Sequence, residues 1–232
     1  MTIPMQWALR RRMMMAGGGG GGVPISELPL GTLINVRTDG GEGTPYYEIA
    51  DKDNLVSGGV VLVRKDIHSE SSSGLPTNNY PDSRLDNLLK ATIYNEMPQK
   101  LRDKMMDVSF ELYSIRLSAS ENITRKMFAL TYTMVGFGNN NGVAEGKALQ
   151  LYTSNASRKK TFNGSGATWW LSSQARYDDD YNMNLWRDVL INGEAGTATP
   201  GAPLGVVPAF VIPSETPYNA TPNTDGSYNL IL

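Results

Sequence analysis

The sequence predicts an α+β fold, with two helices flanked by many short antiparallel strands and long loops late in the chain. Three observations predict it. Short apolar blocks such as Val60 to Val63 and Val206 to Ile212 are bounded by Gly, Asn, Pro and Ser, which reads as strands and turns. Two stretches between residues 83 and 108 carry apolar residues at helical spacing instead. The 232 residues are enough to bury about 70% of the unfolded surface, so a core needs no staples.

The elements follow in order. Thr32, Leu33, Ile34 and Val36 make a first strand, closed by a Gly-rich turn at 39–43. Tyr46, Tyr47 and Ile49 make a second, and Gly58-Gly59 opens the buried strand Val60 to Val63. Residues 68–79 are rich in Ser, Gly, Asn and Pro and read as a long loop. Ser83 caps the first helix, with Asp86 three residues on and Leu85, Leu88, Leu89 and Thr92 at helical spacing. Pro98 opens the second, with Leu101, Met105 and Val108 on one face.

Strands are then expected at 112–117, 126–135 and 148–152, separated by turn clusters. In the strand at 168–173, adjacent Trp169 and Trp170 point to opposite faces. One is expected in the core; the other packs on the second face or forms a stacking platform for sugar. A polar loop at 178–182, a hairpin turn at Asn192-Gly193 and a buried strand from Gly205 to Ile212 complete the domain. The expected organisation is a docking peptide at 1–16, a polyglycine linker at 17–22, the domain at 23–213 and a wrapping tail at 214–232.

Charge separates the first of these parts from the rest. The net charge is -2, yet residues 1–22 carry +3 and no acid, leaving -5 for the remainder. Six consecutive glycines cannot hold helix or strand on their own merits, so they tether. Trp7, Leu9, Met13 and Met14 suit an apolar groove, and Arg10, Arg11 and Arg12 suit acids at its rim. The arginines sit too late, and the apolar stretch after them is too short, for a secretory signal; a membrane-surface helix and a disordered leader are the alternatives to docking.

Composition removes several chemistries. The near-neutral charge excludes a nucleic-acid binder driven by bulk charge. Without cysteine there is no disulfide, thiolate metal site or thiol nucleophile. The lone histidine, His68, excludes multi-histidine metal centres, and Ser69 and Ser71 lie too near it for a convincing triad. It reads as an exposed loop residue. No enzyme activity, cofactor, metal or membrane insertion is expected. Asp178, Asp179 and Asp180, with Asn182, Asn184 and Asp188, carry oxygens of the kind calcium takes, and the alternative is a solvated acidic loop. The late loops also hold Tyr177, Tyr181, Trp186 and Arg187, which with Asp178 to Asp180 form the expected ligand surface.

The order of short motifs carries a resemblance. A Tyr80-Pro81-Asp82-Ser83 helix start precedes Lys126-Met127-Phe128-Ala129-Leu130, then Trp169-Trp170-Leu171-Ser172-Ser173, then Gly205-Val206-Val207-Pro208-Ala209. Over residues 28–214 this resembles a domain family of unknown function from phages, prophages and surface proteins of Firmicutes. Two departures stand out: Ser172 and Val207 occupy positions where the family usually has arginine. The resemblance implies a C-type-lectin-like fold. It shares that broad class with copper enzymes whose cysteines are absent here. The leader resembles the start of phage tail proteins. The function so implied is a virion structural protein, an adhesin or receptor-binding component of tail or baseplate on the particle exterior. The alternative is a capsid or tail decoration protein without a ligand. The implied partners are other virion proteins, further copies of this chain in a homo-oligomer, and a host surface glycan or protein.

Overall fold

The apolar blocks pair into two sheets that share one continuous stretch of chain. The computed structural model describes residues 22–38, 45–72, 80–115, 117–180 and 182–232. The docking peptide and most of the glycine tether therefore lie outside the described residues. In chain order the strands are β1 (Val23–Pro24), β2 (Leu33–Asn35), β3 (Tyr46–Lys52), β4 (Gly59–Arg64), β5 (Ser69–Ser72) and β6 (Val108–Ser114). There follow β7 (Ala119–Arg125), β8 (Met127–Ala129), β9 (Lys160–Phe162), β10 (Ser165–Ala167), β11 (Trp169–Asp178) and β12 (Met183–Val189). The last are β13 (Ala195–Ala198), β14 (Pro203–Val206), β15 (Pro208–Pro213), β16 (Pro217–Tyr218) and β17 (Tyr228–Asn229).

A six-stranded sheet has the order β17-β2-β3-β4-β15-β8, and a five-stranded sheet the order β13-β12-β11-β14-β5. β1–β16, β9–β10 and β6–β7 form separate two-stranded pairs. Every residue of β4 is buried, and it pairs with β15 through Val61↔Val211 and Leu62↔Phe210. A continuous apolar run is what a strand covered on both faces requires.

The run from Gly205 to Ile212, expected as one strand, is two. β14 belongs to the five-stranded sheet and β15 to the six-stranded one, with the crossing at Val207. A side chain at Gly205 would come within 2.4 Å of Ile67, so only glycine lets β14 pass this close. A second seam joins the sheets where Ser172 N donates to Leu130 O at 2.9 Å.

These observations correct the expected α+β, C-type-lectin-like architecture with two helices. Strand accounts for 42% and helix for 15%, so the fold is β-rich. The physical reason lies in polar strands. β5 and β13 edge the five-stranded sheet, and β7 is mostly exposed, so none needs apolar alternation to pair. The helices are also shorter than their spacing suggested. Ser83 does cap the first, accepting from Asp86 N at 2.9 Å. It runs as Arg84–Asn87, a π turn at Leu88–Ile93, and Tyr94–Glu96. The next is Gln99–Lys104 only, because Met105 turns extended and Val108 begins β6. A further short helix spans Asn155–Arg158, and residues 148–152 form turns rather than a strand.

Trp169 and Trp170 are both buried, so neither is a sugar platform. Trp169 Nε1 donates to Arg158 O at 3.0 Å. Two buried acids are neutralised by cations. Asp86 takes Arg125 through both oxygens and Lys90 at 3.0 Å. Glu48 takes Lys160 and Lys65, one on each oxygen at 2.8 Å. Near the end of the chain, β16 pairs with β1, and β17 runs parallel to β2.

Candidate functional site

The late hairpin that the sequence singled out is β11–β12, and its pleat divides the expected ligand residues. Tyr177 pairs with Asn184 across the hairpin, so it shares a face with Asn184, Trp186 and Asp188. Arg187 points to the other face. Tyr177 is exposed and its hydroxyl donates to Asn182. Asp178 accepts from Asp180 N at 3.2 Å and lies 3.9 Å from the exposed Arg176. Asp179 is exposed in the same turn, and Tyr181 lies outside the described residues. Trp186 is only 1% exposed, which removes it from any surface. Among the described residues its Nε1 has no hydrogen-bond partner, nor does Asp188 Oδ1 two residues on. Burial pushes the Asp188 carboxyl up to about 6, against the pull of Arg187. Among the described residues, no group of three or more His, Asp or Glu is placed to hold a metal ion.

Arg187 meets a site that the sequence did not mark, the Gly- and Asn-rich loop at 131–146. Its guanidinium lies 4.6 Å over the Tyr132 ring, and Nε donates to Asn140 Oδ1 at 3.1 Å. Tyr132 contacts Phe137 with ring centroids 5.1 Å apart, and Arg158 covers Phe137 from 4.3 Å. The result is a row of cation, ring, ring, cation. Tyr132, Phe137 and Arg187 are half-buried, while Asn139 and Asn141 are exposed beside them.

A buried carboxyl holds this loop in place. Glu145 is fully buried. One oxygen accepts from Ser173 Oγ; the other accepts from Tyr113 N at 3.1 Å and Asn140 Nδ2 at 3.2 Å. Its own N–H donates to Thr133 Oγ1, and its carbonyl accepts from Thr131 Oγ1. Asn140 also donates to Gln174 O at 2.7 Å, and Gln174 Oε1 accepts from Ile115 N. A register shift in β11 between Trp170 and Gln174 makes this possible, because a bulge turns Ser173 out of the ladder and toward Glu145. Burial pushes the Glu145 carboxyl above its ordinary range, while its hydrogen bonds and Arg187 hold it down. No local motif signals this network, since its members span residues 113 to 187.

His68 is not the exposed loop residue expected. Its side chain is 7% exposed, with Nε2 3.0 Å from Glu96 and Nδ1 2.9 Å from Ser69 Oγ. Glu96 ends the first helical segment, so the imidazole ties that end to β5. A hydroxyl, an imidazole and a carboxylate do stand in hydrogen-bond order. An attacking Ser69 would also need donors aimed at a developing oxyanion. β5 instead pairs with β14 along its length.

Together these elements define a β-rich module whose Gly- and Asn-rich loop is braced by buried polar groups. Residues 57–214 match the model of DUF6273, a domain of unknown function, and the chain belongs to that family. No curated protein and no solved structure matches the chain. No helix among the described residues is long and apolar enough to cross a membrane.

Proposed function

We propose that the protein is a non-enzymatic component of a phage particle, at the tail or baseplate, that takes part in host adsorption. The observation that carries this reading is the division of the chain. A basic, Met-rich peptide is joined through Gly17 to Gly22 to a domain of opposite net charge. Such a tether lets a docked peptide and a displayed domain orient independently. The order of motifs similar to those of phage and prophage proteins supports the same reading. The partners would be other virion proteins and further copies of the chain, with a host surface glycan or protein as receptor.

A second reading, a decoration protein without a ligand, is favoured by the burial of Trp186 and the separation of Tyr177 from Arg187. Two measurements decide. Deleting residues 1–22 should remove the protein from particles while the melting temperature stays nearly unchanged. Soluble full-length chain should compete with particles for host cells. Absence of competition, with adsorption equal in particles lacking the protein, leaves the decoration reading in place.

A further inference from the structure

The geometry points to an acidic saccharide as the ligand of the Arg187 face, an assignment that rests on the adsorption reading above. Arg187 Nε is committed to Asn140, but Nη1 and Nη2 make no hydrogen bond among the described residues. No carboxylate there lies within ion-pair distance of the group. The acid beneath it, Glu145, is buried and already accepts three hydrogen bonds. A half-buried guanidinium held over Tyr132, with Nη1 and Nη2 uncommitted among the described residues, is preorganised to grip a carboxylate in bidentate fashion. Arg176 shares this face, since it pairs with Leu185, two residues from Arg187 on the same strand. It adds positive charge and is paired only loosely, at 3.9 Å, with Asp178.

The neighbours suit a sugar. The faces of Tyr132 and Phe137 are taken by each other and by the two arginines, so these half-buried rings present apolar edges to the C–H side of a pyranose. Asn139 and Asn141 are exposed in the same loop and suit hydroxyls, although Asn141 Nδ2 already donates to Gln174 O at 3.2 Å. A peptide fits less well. β12 lies between β11 and β13, so no strand edge is free beside Arg187 for backbone pairing. The contact would be a carboxylate on Arg187, with the ring of the same sugar beside Tyr132 and Phe137.

The test uses the full chain against glucuronate- and galacturonate-bearing oligosaccharides and their neutral glucose and galactose counterparts. The uronates should bind at least tenfold more tightly, and should shift the Arg187 Nε–H resonance. Arg187→Ala should lose that preference at least tenfold without changing the melting temperature by more than a few degrees. Arg187→Lys should recover part of the affinity and keep its salt dependence. Equal binding of acidic and neutral sugars, no binding of uronates, or full binding by Arg187→Ala overturns the assignment. The adsorption reading is judged separately, by competition of soluble chain for host cells. A chain that competes but ignores uronates therefore sinks only this inference.

Discussion

Two arginines bracket one aromatic pair, and they do different things. Arg158 stacks on Phe137 and Arg187 on Tyr132, at similar distances. Arg158 is 6% exposed and spends its donors on Val135 O, Gly136 O, Tyr152 O and Asn155 Oδ1. It closes the start of the 131–146 loop onto the short helix that carries it. Among the described residues, Arg187 spends a single donor on Asn140 and leaves the rest uncommitted. The same side chain on the same kind of ring is structural where its donors are saturated by backbone carbonyls. Where they are not, it is proposed for recognition.

The largest effect expected from this contrast is at the saturated end. Arg158→Ala removes the donors of three carbonyls and should cost about 3 kcal/mol, or roughly 6–12 °C in melting temperature. A drop of only a degree or two in a calorimetric scan would erase the distinction between the two arginines. Next is the brace between them. Glu145→Ala strands Tyr113 N, Asn140 Nδ2 and Ser173 Oγ, at a cost of about 2–4 kcal/mol. Glu145→Gln, which keeps an acceptor and adds a donor, should stay within about 1 kcal/mol of the parent. Equal losses in the two variants would mean that the charge, not the hydrogen bonding, holds the loop.

Asp188 gives a smaller, pH-dependent effect on the far face of β12. Its folded pKa, about 6, lies above the unfolded value of about 3.9. Its contribution is therefore complete below pH of about 4 and is lost as pH rises through about 6. Asp188→Asn should match the parent near pH 4 and exceed it by about 1–3 kcal/mol at pH 7 and above. Urea titrations at the two pH values check the sign, and greater stability of the parent at pH 7 would reverse it. Smallest is Arg187→Ala, expected to change stability by under about 0.5 kcal/mol. A larger loss would place Arg187 with Arg158 as a structural residue.

What the sequence disclosed and what it hid follow one physical line. β4 and β15, one of the two buried tryptophans, the Ser83 cap and the turn at Asn192-Gly193 depend on neighbours in sequence or on uniform burial. A side chain at Gly193 would strike Asn155 O, and its φ of 86° suits glycine, so that turn is doubly marked. β5, β7 and β13 were hidden because edge and solvent-facing strands take polar residues. Trp186 was misplaced for a related reason. The acids and amides around it suggested a loop, whereas β12 carries it inward with Asn184 and Asp188. The expected ligand set grouped residues close in sequence, and alternation sent Tyr177 and Arg187 to opposite faces. The partners that Arg187 does have, Tyr132 and Asn140, come from about fifty residues earlier and leave no trace in spacing.

The crossing at Val207 has a consequence for how the domain comes apart. β14 and β15 are one run of chain with a leg in each sheet, so neither sheet frays while the other keeps its hydrogen bonds at that corner. Motion that opens the β14–β5 edge must pull on the Phe210↔Leu62 ladder within a few residues. The two sheets are therefore expected to melt as one cooperative unit rather than as separable subdomains. Amide protons on either side of Val207 would then exchange with solvent at closely similar, globally limited rates.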